Sequence, residues 1–264
     1  MDVDVYTRVK ATIKSNLKID LENYKPEQMM RRLDSWLVRS HSSTWKDYFD
    51  VLSADTYERE KFRNYLTINV TEFFRDQNRW VTLREEVLPY LVKNAKEDRH
   101  NNTLKLWSAG CSIGAEPYTI AILMEDAFPH QKYSLLATDL DRGALMKARA
   151  RGPYSPEDIH NLNEVQRKRY VSLNVPYYLN ENLQKQIRFE EQDLLSAHFD
   201  TGFDLIVCRN VVIYFTAVAK DALYAKFAAA LQPGGVLFLG GTEIISGASK
   251  YGLQNFGISF YRKV

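Results

Sequence analysis

KLWSAGCSIGAEPYTIAI, residues 105–122, decides the fold. Apolar residues up to Ala109 read as a buried strand, Gly110 to Gly114 as a turn, and the stretch from Glu116 as an amphipathic helix. A turn of this kind holds a ligand, yet it matches neither familiar nucleotide loop. It lacks the Lys-Ser/Thr ending of a phosphate loop, and Gly110 and Gly114 do not fit G-x-G-x-x-G.

Beyond this stretch, strand and helix patterns alternate, the mark of a doubly wound α/β sheet. Strands are expected at 104–108, 134–138, 187–190, 203–208 and 236–240, with a closing pair near 252–256 and 258–262. Helices are expected at 116–128, 142–151 and 217–231. The region 170–192 is less regular, and Pro176-Tyr177-Tyr178 followed by 180–182 predicts a small inserted hairpin. Upstream, the first seventy or so residues read as helices, a further helix fits 78–95, and a polar run, KEDRHNNT (96–103), follows. Pro26 suits the first turn of a helix reaching Ser40. On that helix Met29, Met30, Leu33, Trp36 and Leu37 form one stripe, and Lys25, Arg31, Arg32 and Arg39 lie opposite. The basic side reads either as a solvated face or as a docking surface for an acidic partner.

The bulk properties narrow the classes. The chain has 264 residues, room for one large α/β domain and a small companion. A net charge of +2 does not indicate a nucleic-acid binder. The acidic start MDVDVYTRVK and the lack of a run of about 18 apolar residues argue against a signal peptide and a membrane helix. Cys111 and Cys208 make no disulfide framework and suit a reducing cytoplasm. His41, His100, His130, His160 and His198 show no metal-ligand spacing, so no metal is expected.

In an open α/β sheet, ligands lie beyond the carboxyl ends of the strands. Three segments are expected to converge there. The glycine turn admits close backbone approach. LLATDLD (135–141) ends a strand with Asp139, whose carboxylate suits two ribose hydroxyls. EEQDLL (190–195) places Asp193 as an acceptor for an adenine amino group. A nucleoside site without a phosphate cradle points to S-adenosylmethionine ahead of NAD or ATP. A fourth segment, FDLIVCRNVVIYF (203–215), brings Arg209, Asn210 and Tyr214 to the same edge, as ligand contacts or as a polar cap. The Asn-Pro-Pro-Tyr and Pro-Cys signatures of nucleic-acid methylases are absent, which weakens a DNA or RNA substrate.

INVTEFFRD (68–76), the glycine-turn stretch, ATDLDRGALMKARARGPY (137–154), FDLIVCRNVVIYF and LQPGGVLFLGGTE (231–243) occur in an order and spacing that resemble the CheR-type chemotaxis methyltransferases, which methylate chemoreceptor glutamates. The resemblance covers essentially the whole chain. It implies a Rossmann-like S-adenosylmethionine-dependent methyltransferase sheet with helices on both faces. An all-α N-terminal receptor-docking domain (1–72) would precede a catalytic domain (73–264) carrying the inserted β-subdomain at about 170–192.

By the same resemblance, Asn69, Thr71 and Arg75 line the cofactor and the reacting carboxylate. Gly110, Glu116 and Asp139 serve the cofactor's amino-acid and ribose parts, and Asp193 and Leu194 its adenine. Arg209, Asn210 and Tyr214 lie beside the methyl group. Arg75 and Tyr214 are the expected catalytic pair, Arg75 as the carboxylate's holder and Tyr214 as donor or wall. The basic helix with Arg31, Arg32 and Arg39 is implied to dock cytoplasmic helical domains of chemoreceptors. The enzyme is expected to act in the cytoplasm as a monomer, without nucleic acid or membrane insertion.

Three departures from the family pattern stand out. Ala115 replaces the first glutamate of the usual Thr-Gly-Glu-Glu, and Asp193 replaces an asparagine. The insert YVSLNVPYYLNENLQKQ (170–186) lacks the Gly-x-Gly turn of members that grip a receptor's C-terminal pentapeptide, so recognition without a pentapeptide is expected. The rival readings are a nicotinamide-dependent oxidoreductase, which the missing phosphate loop disfavours, and a cofactor-binding signalling module that senses S-adenosylmethionine or methylates another protein carboxylate.

Overall fold

The computed structural model describes residues 1–67, 69–98 and 102–264; the first residue of INVTEFFRD, His100 and the middle of the polar run 96–103 lie outside them. No helix among the described residues is long and apolar enough to cross a membrane. The chain forms two compact units.

The first unit is Met1–Ile68 with Tyr214–Ala222. Its helices begin where capping chemistry places them. The Asp2 carboxylate accepts from the Val5 N–H at 2.8 Å to start α1 (Val3–Leu17). Pro26 opens α2 (Pro26–Arg39), Thr44 caps α3 (Trp45–Ala54) and Asp55 caps α4 (Thr56–Leu66). Of the apolar stripe on α2, Met29, Leu33 and Trp36 are buried, and Met30 and Leu37 pack at the margin of the same core. Tyr48 meets Phe62 edge-on at 5.2 Å, and Trp36 lies 5.3 Å from Phe62. Such pairs add about 0.5–1.5 kcal/mol each beyond area burial. The Tyr214–Ala222 segment is tied in by backbone: Lys25 N–H donates to the Tyr214 carbonyl and Thr216 N–H to that of Asn23, both at 2.9 Å.

The second unit, Asn69–Ile213 with Leu223–Val264, holds the sheet. Its strands are β1 (Thr103–Ala109), β2 (Lys132–Asp139), β3 (Ile187–Glu191), β4 (Phe203–Cys208), β5 (Leu231–Leu239), β6 (Leu253–Asn255) and β7 (Phe260–Lys263). They lie in the order β3-β2-β1-β4-β5-β7-β6, parallel except for β7, which runs antiparallel to both neighbours. Every residue of β4 is buried, as a central strand covered on both faces requires. The order reverses between β1 and β4, and open α/β sheets bind ligands beyond the strands' carboxyl ends at such a switch point. The helix expected at 78–95 is α5 (Gln77–Thr82), a π turn (Leu83–Val87) and α6 (Leu88–Asp98) in succession. The β–α crossovers include α7 (Ala115–Ala127) and α8 (Arg142–Arg149), and α11 (Ala217–Ala230) precedes β5.

Two expectations are corrected. Strand β5 starts at Leu231, not at 236, and carries Pro233-Gly234-Gly235 within it. Its pairing with β4 shifts register between Phe203 and Leu205, and a side chain at Gly235 would lie 2.7 Å from the Phe203 carbonyl oxygen, so glycine accommodates the irregularity. The insert ends before 187, because Ile187–Glu191 pairs with β2 as a strand of the main sheet. Between α8 and β3 lie α9 (Glu164–Tyr170), α10 (Glu181–Gln184) and two isolated bridges, Tyr154 with Tyr177 and Val171 with Leu179. Pro176 has no N–H for a ladder, and the Asn180 side chain caps α10, so the hairpin is reduced to these single bridges.

Gly114 sits at φ +89°, and an added Cβ would meet Ala148 Cβ at 2.9 Å and the Tyr118 ring at 3.1 Å. Gly114→Ala is expected to destabilise the protein by about 1–3 kcal/mol, seen as a lower urea midpoint with an unchanged m-value.

Candidate cofactor site

Strand β1 runs into the glycine turn, and the turn is fixed from below by β2. The N–H groups of Gly110 and Cys111 both donate to the Thr138 carbonyl, at 2.8 and 2.9 Å. Gly110 has φ +87°, and a Cβ there would lie 2.5 Å from Val211 Cγ2. The close approach that Gly110 permits is thus one of protein to protein, with the segment after β4, and Gly114 does the same with α8.

Asp139 ends β2. One carboxylate oxygen accepts from Ser112 N–H at 2.7 Å and the other from Asp141 N–H at 2.9 Å. Burial pushes this carboxyl up to about 6, against those stabilising amides. Asp141 caps α8 through Ala144 N–H at 2.9 Å and takes the Asn69 amide on its other oxygen. Asn69 in turn accepts from the Ser112 hydroxyl at 2.7 Å. A closed network therefore ties Asn69 to the glycine turn and to the end of β2. Thr71 lies half-buried in the same segment.

Glu116 stands in the first turn of α7, 9% exposed, and accepts from the Ser108 hydroxyl at 2.7 Å. Burial raises its carboxyl to about 7, opposed by Arg209 and Ser108 and more weakly by Arg75. Ala115 is fully buried in the core beside it.

The segment after Asn69 is held by groups from several elements. Phe74 N–H donates to Thr119 Oγ1 of α7 at 3.1 Å. The Arg75 carbonyl accepts from Trp80 Nε1 at 2.8 Å and from Arg209 Nη2 at 2.9 Å. Arg209 Nη2 also reaches Asp76 at 2.6 Å, and its guanidinium lies over the rings of Trp80 and Phe238. Phe74 and Asp76 both take positive φ, 51° and 60°, so this is a strained turn held from outside. The side chain of Arg209 is thereby engaged in fixing Arg75. The Arg75 guanidinium is half-exposed, with Nη1 on the Val70 carbonyl at 2.7 Å.

Asp193 follows β3. Its carboxylate accepts from Leu195 N–H and Ser196 Oγ, both at 2.9 Å, which leaves acceptor capacity for a ligand amino group. Leu194 is buried, and its carbonyl takes Lys226 Nζ at 2.8 Å. Asn210 sits at φ +60° after β4. Tyr214 belongs to the helical unit.

Sequence reasoning passed over Ser112, Thr119, Asp141 and Trp80. The Asp141 signal was present, an Asp directly before a helix; the others act through contacts distant in sequence.

These groups fit S-adenosylmethionine. Glu116 and Asp139 are carboxyls raised by burial that form no ion pair among the described residues. The cofactor brings an ammonium, a sulfonium and two ribose hydroxyl donors to such acceptors.

Comparisons with known proteins give the family. A family model described as "CheR methyltransferase, SAM binding domain" matches residues 69–259, and one described as "CheR methyltransferase, all-alpha domain" matches residues 4–67. The chain belongs to the CheR methyltransferase family. It is 41% identical over 259 residues to a chemotaxis protein methyltransferase of Listeria innocua, covering 98% of this chain and 95% of that one. The Listeria monocytogenes protein of the same name gives the same identity and coverage. Chemotaxis protein methyltransferase 2 of Vibrio cholerae is 31% identical over 255 residues, with 93% and 85% covered. S-adenosylmethionine is the cofactor of the second unit.

A cationic ligand binds the ionised carboxyls, so its affinity rises with pH through the raised values and levels off above them. Between pH 8 and pH 6 calorimetry is expected to show S-adenosylmethionine binding weaken by up to about tenfold per pH unit, and Glu116→Gln is expected to flatten the part near pH 7.

Proposed function

We propose that this CheR-family methyltransferase transfers a methyl group from S-adenosylmethionine to glutamate side-chain carboxylates of chemoreceptors. The products are glutamyl methyl esters and S-adenosylhomocysteine. The observation that carries the reading is the Arg75 turn, an arginine held by its own backbone and left with an accessible guanidinium in the segment that Asn69 ties to the glycine turn. The names of the curated relatives support the chemotaxis role.

When bound, S-adenosylmethionine supplies a methyl already activated by its sulfonium. A glutamate side chain has an ordinary pKa of about 4.3 and arrives ionised, so no residue here has to remove a proton. The work left to the protein is orientation and exclusion of water. Arg75 holds one oxygen of the incoming carboxylate through its fork while the other oxygen stays free to attack. Asn69 and Thr71 line the cofactor, Glu116 takes its ammonium, Asp139 the ribose hydroxyls, and Asp193 with Leu194 the adenine. Tyr214 acts as a donor or wall beside the reacting carboxylate, which arrives ionised and needs no base.

Receptor docking falls to the exposed arginines of α2. Arg31 and Arg39 face solvent, whereas Arg32 donates from Nε to the Tyr65 carbonyl at 2.9 Å and stacks on the Tyr65 ring at 4.1 Å. Arg32 therefore joins α2 to the end of α4, and the docking charge rests on the other two. The receptors' cytoplasmic helical bundles are the acidic partner, bound without a C-terminal pentapeptide.

The test is transfer of labelled methyl from S-adenosylmethionine to receptor cytoplasmic fragments, with base-labile release as the readout. Arg75→Ala is expected to lower kcat about 100-fold while the cofactor still binds. No base-labile label on any receptor fragment, with cofactor bound, would overturn the reading. Replacing Arg31 and Arg39 together is expected to raise the KM for receptor severalfold at low salt, with kcat unchanged, and the difference is expected to shrink as ionic strength rises. Removing a receptor's last five residues is expected to leave the rate unchanged.

A further inference from the structure

LQPGGVLFLGGTE carries part of the family resemblance, yet of its residues only Phe238, beneath the Arg209 guanidinium, has a role in the site described above. Its last residue, Glu243, is a carboxylate only 4% exposed. It lies just past β5, where the chain turns back through a Glu243 N–H to Gly240 carbonyl bond of 3.0 Å. One of its oxygens, Oε2, accepts from two backbone donors, Gly240 N–H at 2.6 Å and Asn210 N–H at 2.9 Å. The amides of Val212 and Ile213 also stabilise its charge, although burial still raises its carboxyl above the ordinary value.

The placement has a geometric logic. Strands β4 and β5 are paired as far as Cys208 and Leu239. Beyond that pair the two chains part, and the N–H groups of Asn210 and Gly240 lose the ladder that would have satisfied them. The Glu243 oxygen acts as a shared acceptor and extends the pairing by one more step. Glycine at 240 makes room for it, since a Cβ there would lie 2.5 Å from Glu243 Oε2 and 3.0 Å from Asn210 N. Asn210 itself sits at φ +60°, in the left-handed region that asparagine tolerates, and its bond to Glu243 Oε2 fixes it there.

We propose that Glu243 is a positioning residue for cofactor binding, acting through Asn210. Its carboxylate fills a nest of backbone amides at the carboxyl ends of β4 and β5 and locks the Asn210–Ile213 loop in the shape that presents Asn210 to the cofactor. The inference rests on the assignment of Asn210 to the cofactor site. It does not rest on which protein carboxylate is methylated.

The experiment is calorimetric titration of S-adenosylhomocysteine into the full chain as wild type, Glu243→Gln and Glu243→Ala, with hydrogen exchange of the Asn210 amide read on the same samples. All titrations are run well below each variant's Tm, so that a loss of global stability alone leaves the affinity of folded protein unmoved. Glu243→Ala is expected to weaken binding about tenfold and to lose protection at Asn210, the scale of a charge-assisted hydrogen bond. Glu243→Gln keeps a carbonyl oxygen for the same two amides and is expected to stay within about threefold of wild type, with Asn210 protected. Wild-type affinity in Glu243→Ala, or lost affinity with Asn210 still protected, would overturn the proposal. If Glu243→Ala does not fold, Glu243→Gln decides: retained affinity with retained protection supports the proposal, and lost affinity with retained protection overturns it. Binding needs no methyl acceptor, so a failure of receptor methylation and a failure of this proposal are read separately.

Discussion

Backbone N–H groups at the open end of a parallel sheet have to find acceptors, and most of the cofactor site follows from how they do so. Each strand stops, its neighbour continues or turns, and amides are left without a ladder. At β1 the amides of Gly110 and Cys111 share the Thr138 carbonyl; at β2 those of Ser112 and Asp141 share the Asp139 carboxylate; at β4 and β5 those of Asn210 and Gly240 share Glu243. Carboxylates serve twice because their two oxygens together offer about four acceptor sites. The cost is buried acid, and the raised values at Glu116 and Asp139 show it. A cationic cofactor bound beside them would offset that cost and couple affinity to pH.

Arginine has the complementary task. Arg209 would be an expensive charge at the end of an apolar strand, but Asp76, the Arg75 carbonyl and two aromatic faces receive it. The result is a rigid turn with two left-handed residues, Phe74 and Asp76, on either side of Arg75. Arg75 therefore starts from a fixed backbone, which would reduce the entropy lost on the carboxylate binding proposed for its fork. In the helical unit Arg32 plays a comparable part through the Tyr65 carbonyl and ring.

Much of this was legible from residue order alone. Apolar runs of the right length, the glycine turn and Pro26 at the start of α2 placed most strands and helices to within a few residues. Buried strands leave little ambiguity, as the full burial of β4 illustrates. The hairpin and the start of β5 were less legible. Proline and glycine argue against a strand when read locally, and only pairing with Phe203 and Leu205 shows that 231–235 belongs to the sheet.

By itself the sequence determined the fold class and the cofactor, because periodicity and chemistry-bearing spacings are properties of the chain. The tertiary structure decided what each polar side chain does. Arg31 and Arg32 are adjacent and chemically identical, yet one is exposed and the other is bound to Tyr65, 33 residues away. Arg209 serves Arg75 across 134 positions, and Glu243 serves Asn210 across 33. Hydrogen bonds over such separations leave no periodic trace in a sequence; they exist only once the sheet brings its strand ends together.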